Sequence, residues 1–259
     1  AADGACPRDG AACRPPQLRG GRGGTGARAD WTLARHILDR PPRMCERGRM
    51  TVDTRLREAL DAPSASDRLQ AALDAGIRPN PGFVEALVER CAVEPDFSVR
   101  EMLTWALVRH PAELTVPLLV AEVAGDVTQG RSQALHPLSK IADPAGWTAI
   151  TSDVLHDPDD SVARTAWRAA AVLAPDAERP ALARDLATQL GRGDRSVQQS
   201  LSRALATLGV DSAAALEDAR AHPDPRVRIH AIATERIIDD PDEAFDSAMF
   251  EAERIALGL

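Results

Sequence analysis

The chain has 259 residues, 27% of them charged and only 3% aromatic, and a formal net charge of −8. Residues 1–49 hold ten arginines against five acids, so the remainder, with 21 basic and 34 acidic residues, is a body of net −13. Such a body is a poor generic partner for phosphate backbones, whose binding depends on neutralising charge with Lys and Arg, and no apolar run is long enough for a transmembrane helix.

Residues 1–49 contain Gly20-Gly21-Arg22-Gly23-Gly24, Pro15-Pro16 and Pro41-Pro42, without sustained periodicity. Composition of this kind cannot bury enough apolar surface to fold alone. The segment is expected to be disordered, with Trp31–Leu38 its one candidate helix. Composition changes abruptly at Met50, which is read as the natural start, with a repeat domain over 50–259. Cys6, Cys13, His36 and Cys45 are too widely spaced for the close pairs that structural zinc favours. No metal and no cofactor are expected. The cysteines make no disulfide framework, no charged-then-apolar secretion signal is present, and a cytoplasmic monomer is the expectation. Lys140 is the only lysine, a bias that suggests a GC-rich bacterial coding sequence.

From residue 51 a pattern recurs. Its anchor positions are Arg68, Arg100, Arg131, Ala163, Gln198 and Arg228. Apolar residues return at offsets −1, +3 and +7 from most anchors, as in Val99, Leu103 and Leu107, or Val197, Leu201 and Leu205, the departures being Asp67 and Gly130 at −1 and Glu235 at +7. These offsets share one face of a helix. Four places before the anchor stand Ser64, Asp96, Asp159, Asp194 and Asp224, each able to accept from a free N–H of the first turn. In the third copy Asp126 sits one place early, which predicts a junction one residue longer.

Ahead of each anchored helix lies a second amphipathic pattern, near Asp53–Asp61, Pro81–Val93, Glu113–Ala124, Ala145–Leu155, Arg179–Leu190 and Ser212–Ala221. Pro137 falls inside an anchored helix and should kink it. Asp242–Leu257 reads as a C-terminal capping helix. Paired helices at a period of ~30–35 predict an all-α solenoid, because one pair cannot bury its apolar face alone.

The Asp-x-x-Val-Arg-x-x-Leu/Ala pattern, seen whole in Asp96–Leu103, resembles the short bacterial HEAT-like repeats of the phycobilin-lyase type, over roughly Thr51 to Leu259. The resemblance implies a right-handed α–α superhelix of about six helix pairs whose second helices line a concave face. It is specific for fold and poor for function. HEAT-like deoxyhypusine hydroxylases bind iron through His-Glu pairs, and no histidine here is followed by Glu. HEAT-like alkylpurine DNA glycosylases use Trp, Asp and basic residues, but four places beyond Trp105 and Trp167 stand Arg109 and Ala171.

No catalytic constellation is recognised. The candidate binding strip is offset +5 on the second helices, Leu73, Trp105, His136, Arg168, Arg203 and Ala233, with Arg109 and Lys140 at +9. Trp and Arg are over-represented at binding hot spots. The expected function is a protein–protein interaction scaffold or regulatory adaptor that takes an acidic segment on this strip. The alternative is a nucleic-acid-binding protein related to the glycosylases. Trp147 and Trp167 are read as packing, and the anchor arginines as braces ion-paired with neighbouring aspartates.

Overall fold

The computed structural model describes residues 46–258, with side chains from Asp53 onward. Trp31–Leu38 and the possible zinc ligands Cys6, Cys13, His36 and Cys45 lie outside the described residues. Six helix pairs follow one another: α1 (Glu46–Leu60) with α2 (Ala65–Ile77), α3 (Val84–Val93) with α4 (Phe97–Val108), and α5 (Ala112–Val123) with α6 (Thr128–Ile141). Then come α7 (Ser152–Leu155) with α8 (Asp160–Leu173), α9 (Arg179–Ala187) with α10 (Arg195–Leu208), and α11 (Ala213–Arg220) with α12 (Pro225–Asp239). A last helix, α13 (Phe245–Leu257), closes the array. Helix α1 begins at Glu46, ahead of Met50.

Each even-numbered helix packs on the next, from α2 on α4 through to α10 on α12. The odd-numbered helices form a second layer behind them, the expected solenoid arrangement. The seam is the predicted stripe: Val99, Leu103, Leu107, Val162, Ala166, Ala170, Val197, Leu201 and Leu205 are all buried. One apolar cluster runs from Leu56 to Ala231. Its many alanines let helices approach closely, which suits a chain so poor in aromatics.

Caps set the helix starts. The side chains of Ser64, Asp96, Asp159, Asp194 and Asp224 each accept from a backbone N–H of the first turn. The third copy departs from the expectation. Its N-cap is Val127, without a side-chain bond, so the register is unchanged and Asp126 caps nothing. The first helix of the fourth copy departs too. Instead of one helix over 145–155, a 3-10 stretch, Pro144–Ala149, is followed after a break by the single turn of α7. Asp143 caps the first piece and Thr151 the second, so two local caps override one apolar period. Pro137 costs a single ladder bond, and α6 runs on to Ile141.

The anchor arginines brace the joints: Arg131 does so through an aspartate as expected, and three others through backbone carbonyls instead. Each of three donates to the two carbonyls at its own joint: Arg68 to Ala62 and Pro63, Arg100 to Glu94 and Pro95, and Arg228 to His222 and Pro223, at 2.8–3.0 Å. These carbonyls lie at or just beyond the end of the preceding helix, where backbone acceptors lack helical partners. Two anchors also reach an acid in the next copy. Arg68 grips Glu94 with two bonds, at 2.7 and 2.8 Å, and Arg131 pairs with Asp157.

Glu94 is fully buried and also meets Arg90 and the Asp96 amide. Burial alone would raise its carboxyl, but Arg68, the Asp96 N–H and Arg90 together hold it at about 2.

A second buried polar node joins the last copies. His230 Nδ1 accepts from Gly191 N at 3.0 Å, which fixes the proton on Nε2, 3.0 Å from the Gln198 carbonyl and 3.0 Å from Ser202 Oγ. Burial pushes the imidazole down from 6.5 to about 4.

Candidate functional site

The outward face of the even-numbered helices is set by what the core stripe leaves over. Offsets +5 and +9 lie roughly opposite −1, +3 and +7 on a helix. Trp105, Arg109, Lys140, Arg168 and Arg203 are accordingly exposed and His136 half-buried.

The structure draws these residues into two groups and leaves one apart. In the first, the Arg109 guanidinium lies 5.6 Å from the centre of the Trp105 ring, a cation–π distance. In the second, Arg168 Nη1 lies 3.3 Å from His136 Nδ1. His136 Nε2 stands 3.7 Å from Glu101 Oε1. Burial lowers the His136 pKa, Glu101 raises it, and Lys140 and Arg168 lower it further, so the neutral ring can accept from Arg168. Arg203 is exposed on α10, outside both groups.

Ala233 does not belong to the strip. It is fully buried beneath α13, in a separate cluster with Ile232, Phe245, Ala248, Met249 and Ala252. The open face therefore ends before α12.

Trp105 is both packed and open. It is 38% exposed, yet its ring lies over Gly76 of α2, where a Cβ would come within 2.2 Å of Cζ3 and 3.0 Å of the Ala106 Cα. In a helix, Gly→Ala ordinarily stabilises by about 0.5–1 kcal/mol. Here the sign should reverse: Gly76→Ala is expected to lower stability by ~1–3 kcal/mol through overpacking, read by urea melts. A stabilised variant would show that the ring swings away freely.

Charge separates this face from the rest. No acid stands at offset +2, +5 or +9 of any even-numbered helix. Acids fill the odd-numbered layer instead, including Glu58, Glu85, Glu89, Glu113, Glu122, Asp185, Glu217 and Asp218. Among the described residues, Arg109, Lys140, Arg168 and Arg203 form no ion pair with a carboxylate, as Arg55, Arg78 and Arg184 do not, whereas Arg57, Arg90, Arg179, Arg192 and Arg236 all do.

Arg164, which the sequence reading passed over, adds a further cation with no acid. It bonds Ser200 at 2.9 Å and Ser196 at 3.3 Å. It stands at offset +1, as does Glu101, and extending the strip to that offset would have found both.

The other aromatic and thiol candidates belong to packing. Trp167 is fully buried and donates from Nε1 to the Leu155 carbonyl at 2.9 Å. Trp147 packs against the core. The Cys91 thiol is buried and pushed up to about 12, which leaves it inert. Among the described residues no three His, Cys, Asp or Glu side chains are grouped to hold a metal ion. None of the described helices is long and apolar enough to cross a membrane.

Neither a protein-family profile nor a curated protein matches the chain. Solved structures do, in 27 chains. One is titled the crystal structure of an engineered protein, a structural-genomics target; it is 22% identical, and the match covers 71% of this chain and 97% of that one, with a TM-score of 0.43.

Proposed function

We propose that the protein is a non-enzymatic interaction module, a scaffold or regulatory adaptor that binds an acidic protein segment along the even-numbered helices. One observation carries this reading: in a body of net −13, offsets +2, +5 and +9 of the even-numbered helices hold no acid, and among the described residues Arg109, Lys140, Arg168 and Arg203 form no ion pair with a carboxylate. Complementary charge steers association and suppresses wrong partners more than it adds raw affinity. The HEAT-like kinship and a cytoplasmic setting are parts of the same proposal, supported by the repeat and by the unpaired, buried Cys91 thiol.

The test is fluorescence anisotropy with a labelled Asp/Glu-rich peptide against the wild type and an Arg168→Glu, Arg203→Glu variant. A loss of about tenfold or more is expected, as for charge reversal in a binding strip. Equal binding by the two proteins, or no binding by either, overturns the proposal. Duplex DNA is the control. Tight DNA binding that falls steeply with salt would favour the nucleic-acid alternative.

A further inference from the structure

The strip is not uniform along its length. Its first end is the richest in apolar side chains: Leu73 is half-buried, Ile77 is 56% exposed, and the Trp105 ring lies over Gly76, with the Arg109 guanidinium 5.6 Å from the ring centre. Beyond Trp105 the row turns cationic, through Lys140, Arg168 and Arg203. Successive copies touch along it, since Glu101 approaches His136 and Arg168 bonds His136.

We infer that the face takes a bipartite segment: one apolar side chain seated against Ile77 and Trp105, followed by carboxylates that meet Lys140, Arg168 and Arg203 in turn. This rests on the acidic-segment reading above and gives it a register. Packed helices lie ~8–10 Å apart, and an extended chain advances ~3.3 Å per residue. Roughly three residues therefore span one copy, and about nine run from the apolar seat to Arg203. An acid-dense segment favours this extended form, because like charges four residues apart weaken a helix.

Three labelled peptides of about twelve residues test this, each with an acid at every third position. One carries Leu at its N-terminal end, one carries Leu at its C-terminal end, and the third has Ser in place of Leu. One Leu peptide should bind about tenfold tighter than the Ser peptide, as burial of one apolar side chain supplies. Ile77→Ser, a neutral change at an exposed site, should reduce that peptide to the Ser level and leave the Ser peptide, which has no apolar side chain for the seat, unchanged. Arg168→Glu should weaken both.

Equal binding of Leu and Ser peptides, with both lost in Arg168→Glu, overturns the bipartite seat and leaves the acidic-segment reading standing. So does a Leu advantage that Ile77→Ser fails to abolish. Absence of binding by all three overturns both readings together.

Discussion

Glu94→Ala should lower the unfolding free energy by ~3–5 kcal/mol, the range for breaking a buried ion pair from one side. The carboxylate is fully buried and holds Arg68, Arg90 and the Asp96 amide at 2.7–2.9 Å. Removing it leaves the buried Arg68 guanidinium with only the Ala62 and Pro63 carbonyls. Replacing both charges, Arg68→Met with Glu94→Leu, should recover much of the loss, because no lone charge then remains inside. Denaturant melts of the single and double variants decide this. A single variant within ~1 kcal/mol of wild type, a loss no larger than an exposed ion pair supplies, would mean that Glu94 contributes only like a surface pair.

The second large effect is a loss of stability in mild acid. His230 titrates at about 4 when folded, against an ordinary 6.5. Above pH 6.5 it is neutral in both states and contributes no slope. As pH falls, the unfolded chain takes up the proton first, so stability declines from about 6.5 down to about 4, by up to about 3 kcal/mol. Protonation of Nδ1 would set two donors, it and the Gly191 amide, against each other across 3.0 Å.

His136 is lowered as well and adds in the same direction. Glu94, depressed from 4.5 to about 2, extends the decline to lower pH. Melts of wild type and His230→Gln between pH 7 and 4.5 should differ in slope, with the variant flatter. Parallel slopes would assign the decline to other groups.

Much of this fold was legible because it repeats. A single Val-Leu-Leu stripe is weak evidence, but Val99, Val162 and Val197 return with their caps at a fixed offset, and each is buried. What escaped was local or terminal. Glu94 stands in a joint, at offset −6 from its anchor as Asp157 does, but only these two copies carry an acid there, and its partner Arg68 lies a whole copy away. Asp126 competed with Val127 for one cap, and only the backbone could choose between them. Ala145–Leu155 has helical apolar spacing, but Asp143 and Thr151 cap two shorter pieces inside it.

The candidate face was read from helix geometry, and its outward cations stand where that geometry put them. The loss of Ala233 from the strip depended on where α13 lies, and a stripe of equivalent positions carries no information about a neighbour without an equivalent.

That terminal neighbour has a bearing on how the chain comes apart. Most of the apolar interior is continuous, but α13 is held to α12 by its own small island around Phe245 and Met249. The connecting residues Asp240–Asp242 are open to solvent. Opening free energies differ between segments, and stacked repeats lose end units first. Digestion by a dilute protease should therefore clip the chain near Pro241 while the preceding pairs remain whole, and amides of α13 should exchange with deuterium sooner than those of α4.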